Sequence, residues 1–518
     1  MKEQLEWVNE SVGLICSEDI GESEKKERFL CLQEVYSSFT TKQRNYVREI
    51  ICENFGLHDS IFVYSYLIDY MDVEELKNEV LLCMMEEKSD IFTDCMLELQ
   101  TVRYGQHLWE LKKRLHRKNV ENIICELDEG KLYSYIPVTK RNNKRIVIMT
   151  EQILSILHAP TQVVLNFAYV LQELLGYEVL LAAVPSNGDI PEGIWHNAFV
   201  MKVRGNIDNE FVKVNYKDTG FILYQTQMYK ADYDTYKKFF DIIYEWNPLF
   251  VFNMGLINPI GDFAARFTTT ATMSMTTECP ISEADILIRI GRNSDDIESI
   301  YIKNLSENQK QLFLDKKIPV IVEEGKERTY TYSELALPQE TFLIAVVGNR
   351  LDEEIDDEFV NVMKRIINKT DNTAFVIIGD YKNAENVRKI ECMKGRIYYL
   401  GYQNHLMSVY KLLHLYINPK RLGGGFSSVM ALKAGLPVIT LTECDVAYNV
   451  GDAFAVKDYE EMINLTVKYT QDKQFYKEQK KYIEAALERN TEENMCRYIK
   501  RLVDNIVEVM EENANDTI

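Results

Sequence analysis

The chain has 518 residues, 46% of them hydrophobic and 27% charged, with glycine and proline at ordinary abundance, which predicts several globular domains and excludes disordered or fibrous classes. Eighty acidic residues against 59 basic ones give a net charge of −21, which repels phosphate backbones and anionic lipid, so nucleic acid is not an expected partner. The ten cysteines form no CxxC pair, the N-terminus lacks the layout of a signal peptide, and no apolar run approaches the roughly 18 residues that span a bilayer. The expectation is a cytoplasmic protein with reduced thiols and no transmembrane segment.

From residue 1 to 140 the apolar residues recur at helical spacing. Phe29, Leu32, Tyr36 and Phe39 form one stripe, and Tyr46, Val47, Ile50, Ile51 and Phe55 another that Gly56 ends. Asp59 or Ser60 can cap a further helix over 61–71. No proline precedes Pro137, so helix can follow helix, and an all-α domain is expected.

The pattern then changes to short β-branched runs separated by helical stretches: 146–149, 179–184, 250–253, 285–290 and 319–322. A second series occupies 342–347, 374–379, 396–401, 415–419 and 437–441. Such runs read as strands buried on both faces, and alternation with helices predicts two successive parallel-sheet domains, 141–335 and 336–490. Residues 196–225 alternate at period two and read as an antiparallel edge. The segment 491–518 is expected to be a C-terminal helix with an amphipathic stripe.

In open α/β sheets, ligands gather beyond the carboxyl ends of the strands. The strongest local signal there is NPKRLGGGFSSVMALKAGLPVITL, residues 418–441. After Asn418, the glycines Gly423, Gly424 and Gly425 let backbone approach a ligand, and Ser427 or Ser428 can cap the helix that follows. A helix N-terminus fed by glycines suits a pyrophosphate, and Lys420-Arg421 can add charge. The same residues also fit a solvent turn before a packing helix.

The ordered set Gly348 and Arg350, Gly379-Asp380, Gly401, a proline-ended strand, the glycine loop and Ala434-Gly435-x-Pro437 resembles the donor-binding half of GT-B fold glycosyltransferases. The resemblance implies an α/β chain of GT-B architecture, two Rossmann-like domains behind an all-α domain. It further implies a nucleotide sugar, expected to be UDP-linked, with its diphosphate on 423–428 and Arg350 facing it. No metal or other cofactor is needed where amides and a guanidinium neutralise the leaving group. An ion pair with the acidic run 352–357 is the other reading of Arg350. Retaining members carry two glutamates eight residues apart here; this chain has none between Asn418 and Thr442, and Met430 stands at the second place. The family's lysine is also replaced, with Ile355 near its position. Members that place a helical domain first include O-linked N-acetylglucosamine transferases and adhesin N-glucosyltransferases, which brings in a polypeptide acceptor and protein glycosylation.

The first α/β domain is expected to hold the acceptor. His158, in the long loop after its first strand, can serve as general base or be a loop histidine that caps a backbone carbonyl. His196 opens a strand and, with Asn253 and Gly255 at another strand end, can face the same side, although packing accounts for all three. Asp232-Tyr233-Asp234 opens a polar helix rather than ending a strand, and no histidines pair at metal-ligand spacing. Two functions remain: a glycosyltransferase, or a GT-B-shaped subunit that binds or chaperones without catalysis, either one alone or as a homo- or hetero-oligomer.

Overall fold

The computed structural model describes residues 2–15, 17, 19–54, 74–86, 91–129, 132–156, 158–185, 210–226, 233–275, 278–290, 295–314, 318–322, 328–421 and 423–516. The chain divides into two compact units, Met1–Lys316 with Leu502–Ile518, and Lys317–Arg501.

Helices Lys2–Ile15, Glu22–Ser37, Thr41–Asn54, Glu74–Glu86, Ile91–Gln100 and Trp109–Leu127 open the first unit. Leu32, Tyr36 and Phe39 of the predicted stripe are buried with Val8, Val12, Val47 and Ile50 in one apolar cluster. Tyr46, read into the second stripe, is exposed. The helix predicted over 61–71, with Phe55, Gly56, Asp59 and Ser60, lies outside the described residues. Cys83, Cys95, Cys279 and Cys444 are buried thiols, whereas Cys31 and Cys125 are exposed.

Eight strands follow: β1 (Asn142–Thr150), β2 (Glu178–Ala183), β3 (Glu210–Tyr216), β4 (Thr219–Gln225), β5 (Pro248–Met254), β6 (Thr270–Met273), β7 (Ile286–Ile290) and β8 (Lys310–Leu314). They form one sheet in the order β3-β4-β2-β1-β5-β6-β7-β8. Every neighbouring pair is parallel except the edge hairpin β3–β4, which is antiparallel as its period-two pattern predicts.

The second unit holds β9 (Phe342–Gly348), β10 (Thr373–Gly379), β11 (Ile397–Gly401), β12 (Leu415–Ile417), β13 (Val438–Leu441) and β14 (Ala455–Val456). All pairs are parallel, in the order β11-β10-β9-β12-β13-β14. Central β9 feeds two cores: Ile344 and Val346 one, Leu343, Ala345 and Val347 the other. Full burial of each such side chain stabilises by roughly 1.5–3 kcal/mol, which is why the run reads as uninterrupted apolar sequence. Strand order reverses between β9 and β12, which makes the strand ends at Gly348 and Asn418 the topological switch point where open parallel sheets bind ligands.

One predicted strand is corrected. Residues 318–322 are extended but belong to no sheet. Val320 and Val322 pack against Val429 of the helix Gly425–Lys433, and their backbone is satisfied by Asn490 Oδ1 on the Val320 amide and Lys433 Nζ on the Val322 carbonyl. An apolar run reads alike whether a ladder or side chains satisfy its backbone.

Candidate functional site: the glycine loop of the second sheet

Gly423 and Gly424 both have φ of +90°, a region open to glycine, and Gly424 is the N-cap of the helix Gly425–Lys433. Among the described residues no side chain caps this helix. By contrast, Asp356, Asp458 and Asp472 each cap a helix of the same unit with a carboxylate. The expectation that Ser427 or Ser428 caps the helix is corrected: their hydroxyls turn back three residues, Ser427 to the Gly424 carbonyl at 2.9 Å and Ser428 to that of Gly425 at 2.8 Å. Glycine already supplies the non-helical geometry that a serine cap would provide. The first-turn amides, which have no intrahelical acceptor, therefore lead out beyond Gly424. The Gly423 amide donates to Asp445 Oδ2 at 2.9 Å.

The two cations of Lys420-Arg421 part company. Lys420 is exposed and its Nζ lies 3.0 Å from Glu443 Oε1. Arg421 turns inward, with 4% of its side chain exposed, and donates to Glu354 Oε2 at 2.6 Å, Tyr416 Oη at 2.6 Å and Asn418 Oδ1 at 2.8 Å. Gly348 and Gly424 flank it closely: a Cβ on Gly348 would sit 2.5 Å from Arg421 Nη1, and one on Gly424 2.7 Å from Nη2. Asn418 is fully buried, with its Nδ2 donating to Thr440 Oγ1 at 3.2 Å, so it meets the loop through Arg421. A Cβ on Gly425 would approach Asn449 Nδ2 to 2.9 Å, so that amide would have to shift to admit one.

Arg350, just past the end of β9, has 61% of its side chain exposed; its Nη2 lies 3.4 Å from Glu354 Oε1 and 4.0 Å from where a Cβ on Gly423 would sit. It thus touches both the acidic run and the glycine loop. Gly401, φ +64°, ends edge strand β11, two strands away from β9. Met430, in place of a glutamate, packs with Val320, Val322 and Phe426.

In the first unit the strand order reverses between β1 and β5. His158 follows β1 and is the N-cap residue of the helix Ala159–Tyr169; its Nδ1 lies 2.9 Å from Thr161 Oγ1, which accepts the Leu154 amide at 2.8 Å. Burial holds its pKa below the ordinary imidazole value, favouring the neutral ring. Asn253 is fully buried, with Nδ2 3.4 Å from Asp262 Oδ1 and Oδ1 accepting from Asn258 Nδ2 at 3.3 Å. Gly255 continues the ladder, its amide donating to the Met273 carbonyl at 3.0 Å. His196 and Asp232 lie outside the described residues, and Tyr233-Asp234 open the helix Tyr233–Trp246.

Sequence reasoning placed Glu354 only in the acidic run that can pair with Arg350, as it does, and missed the inward turn of Arg421 onto it. It also missed a buried cluster on Asp262, where His116 Nε2 lies 2.7 Å from Oδ2 and His116 Nδ1 lies 2.6 Å from Glu98 Oε1.

Two α/β sheets behind a helical region, the second wholly parallel with a glycine loop at its topological switch, make up a GT-B fold. A model of the family described as Glycosyl transferases group 1 matches residues 341–472, so the chain carries a glycosyltransferase group 1 domain over β9 to β14. Among solved structures, the Thermobaculum terrenum O-GlcNAc transferase is similar over 100% of this chain and 99% of its own, at 10% identity and a TM-score of 0.51. Anabaena Alr3699/HepE, solved with UDP and glucose, is similar over 70% of this chain and 99% of its own, at 11% identity and a TM-score of 0.46. The trehalose-6-phosphate synthase OtsA covers 69% of this chain and 98% of its own, at 10% identity and a TM-score of 0.48. Comparison with curated proteins gives no match. Among the described residues no helix is long and apolar enough to cross a membrane.

Proposed function

We propose that the chain transfers a hexosyl or N-acetylhexosaminyl group from a nucleotide diphosphate sugar, UDP-linked, to an acceptor held by the first unit. The observation that carries this reading is the uncapped helix N-terminus at Gly424, opened by two glycines of positive φ at the switch point of a parallel sheet, with Arg350 against it. Amides and a guanidinium aimed at a departing diphosphate stabilise the charge that grows as the glycosidic bond breaks, so displacement proceeds without a metal. His158 takes the acceptor proton: a depressed pKa keeps it neutral near pH 7, and Nδ1–H donating to Thr161 Oγ1 leaves Nε2 to receive it. The polypeptide acceptor rests on the helical region ahead of the sheets and on the likeness to an O-GlcNAc transferase. The cytoplasmic setting rests on the ten cysteines of the sequence, which form no CxxC pair and sit mostly within apolar runs.

Saturating UDP-glucose or UDP-N-acetylglucosamine is expected to raise the melting temperature through linkage; Arg350→Ala is expected to abolish that shift and sugar transfer while leaving the fold intact, and Gly424→Val to abolish both while also straining the loop against Arg421. Parent-like shifts in both variants overturn the placement of the donor. The apolar packing of Met430 favours a second reading, a donor-binding subunit without catalysis. Donor hydrolysis without acceptor separates the two: release of free sugar supports the enzyme, and binding without any release supports the subunit.

A further inference from the structure

Glu354 is almost buried, with 8% of its side chain exposed, yet it faces two arginines, one on each oxygen. Its Oε2 holds Arg421 at 2.6 Å and its Oε1 meets Arg350 at 3.4 Å. The two contacts differ in kind. Arg421 and Glu354 are both desolvated, and Arg421 is further fixed by Tyr416 Oη and Asn418 Oδ1, so removal of either partner strands a buried charge. Arg350 is largely solvated, and an exposed pair at this distance is worth only about 0–1 kcal/mol. Such a contact restricts where a long side chain points without competing strongly against a dianion.

The geometry around Arg421 supplies the other half. Its guanidinium lies between Gly348 at the end of β9 and Gly424 at the helix start, within 2.7 Å of a Cβ built on either. It therefore sets the spacing of the two glycine turns that flank the switch point. Tyr416 Oη, which accepts from Arg421, also lies 3.2 Å from Ser427 Oγ in the first turn of the helix.

Resting on the donor-site reading above, we propose that the buried Arg421–Glu354 pair is the positioning element of that site. Arg421 fixes the glycine turns, and Glu354, locked by Arg421, aims Arg350 over Gly423, where the diphosphate arrives. Neither member of the pair touches the ligand.

The test is a double-mutant cycle on UDP affinity, measured by calorimetry on the full chain. Glu354→Gln keeps an acceptor for Arg421 but removes the charge that draws Arg350. It is expected to weaken UDP binding about fivefold in the parent and clearly less in an Arg350→Ala background. Loss of repulsion alone would act with the opposite sign, because removing a carboxylate near a diphosphate tightens binding. Arg421→Lys keeps the charge but cannot span three acceptors, and is expected to weaken UDP about tenfold. A merely structural pair would lower the melting temperature of both variants and leave UDP affinity of the folded protein unchanged. Glu354→Gln binding UDP as tightly as the parent, or losing equally in both backgrounds, overturns the inference alone. A parent that binds UDP no better than Arg350→Ala overturns the donor-site reading and this inference together.

Discussion

Gly379 ends β10 in register with Gly348 at the end of β9, and its φ of +118° is open to glycine only. A Cβ at 379 would fall 1.8 Å from the Gly348 carbonyl oxygen, so backbone must move to admit it. Gly379→Ala is expected to cost the second unit about 3 kcal/mol or more, read as a shift in urea midpoint, with parent-like stability refuting the close approach. That glycine was legible in the sequence, because a strand ending in Gly-Asp marks a βα turn. Arg421 was not: Lys420 and Arg421 read as equal neighbours, and only the fold shows one paired with Glu443 at the surface and the other turned under the loop. Glu354 likewise reads as one more charge in the acidic run 352–357 until Arg421 is seen to meet it.

At the scale of elements, the helical region joins the first sheet through an ion triad rather than apolar packing alone. Glu98 of the helix Ile91–Gln100, His116 of the helix Trp109–Leu127 and Asp262 after β5 are 0%, 0% and 1% exposed. Asn119 Nδ2 donates to Glu98 Oε2 at 2.7 Å and Ser282 Oγ to Asp262 Oδ1 at 2.8 Å, while Lys113 pairs with Glu283 beside them at 2.7 Å. Burial alone pushes the imidazolium down, but Glu98 and Asp262 outweigh it and raise the His116 pKa to about 10. A folded-state pKa above the unfolded value of about 6.5 contributes stability that is full below 6.5 and is lost as pH rises through 10. The urea midpoint of the first unit is therefore expected to fall steadily from pH 7 to 10, and His116→Gln is expected to flatten that dependence. His116→Ala, which leaves two buried carboxylates without a cation, should cost about 3–5 kcal/mol. None of this was legible in the sequence, since the partners stand 18 and 146 residues from His116 and no local period links them. The hairpin β3–β4 was legible, because one face in water writes alternation directly into the sequence.

For the whole molecule, the alternation of apolar runs and helical stretches carried the two-sheet architecture, because strands covered on both faces must be apolar throughout. The short strands β6, β8 and β14 were not read, since two to five residues give too little pattern against the background. Net charge carries a consequence that no single site shows. A chain of −21 meets its proposed donor, itself a dianion, with net repulsion, against which the site sets Arg350, exposed though it meets Glu354 at 3.4 Å, while Lys420 pairs with Glu443. At about 0.01 M salt the Debye length of roughly 30 Å lets the whole molecule's charge act on an approaching ligand; at about 0.1 M, roughly 10 Å leaves chiefly the local groups. The association rate of UDP is therefore expected to rise about two- to fivefold between these salt concentrations in stopped-flow measurements, the reverse of a protein that steers anions with a basic surface. The dissociation rate should change less, because amides of the first helical turn and Arg350 act at contact distance, within any screening length. A fall in association rate over the same range would mean that Arg350 and the helix dipole govern approach from beyond the loop, and that the surplus of carboxylates lies too far from the path to matter.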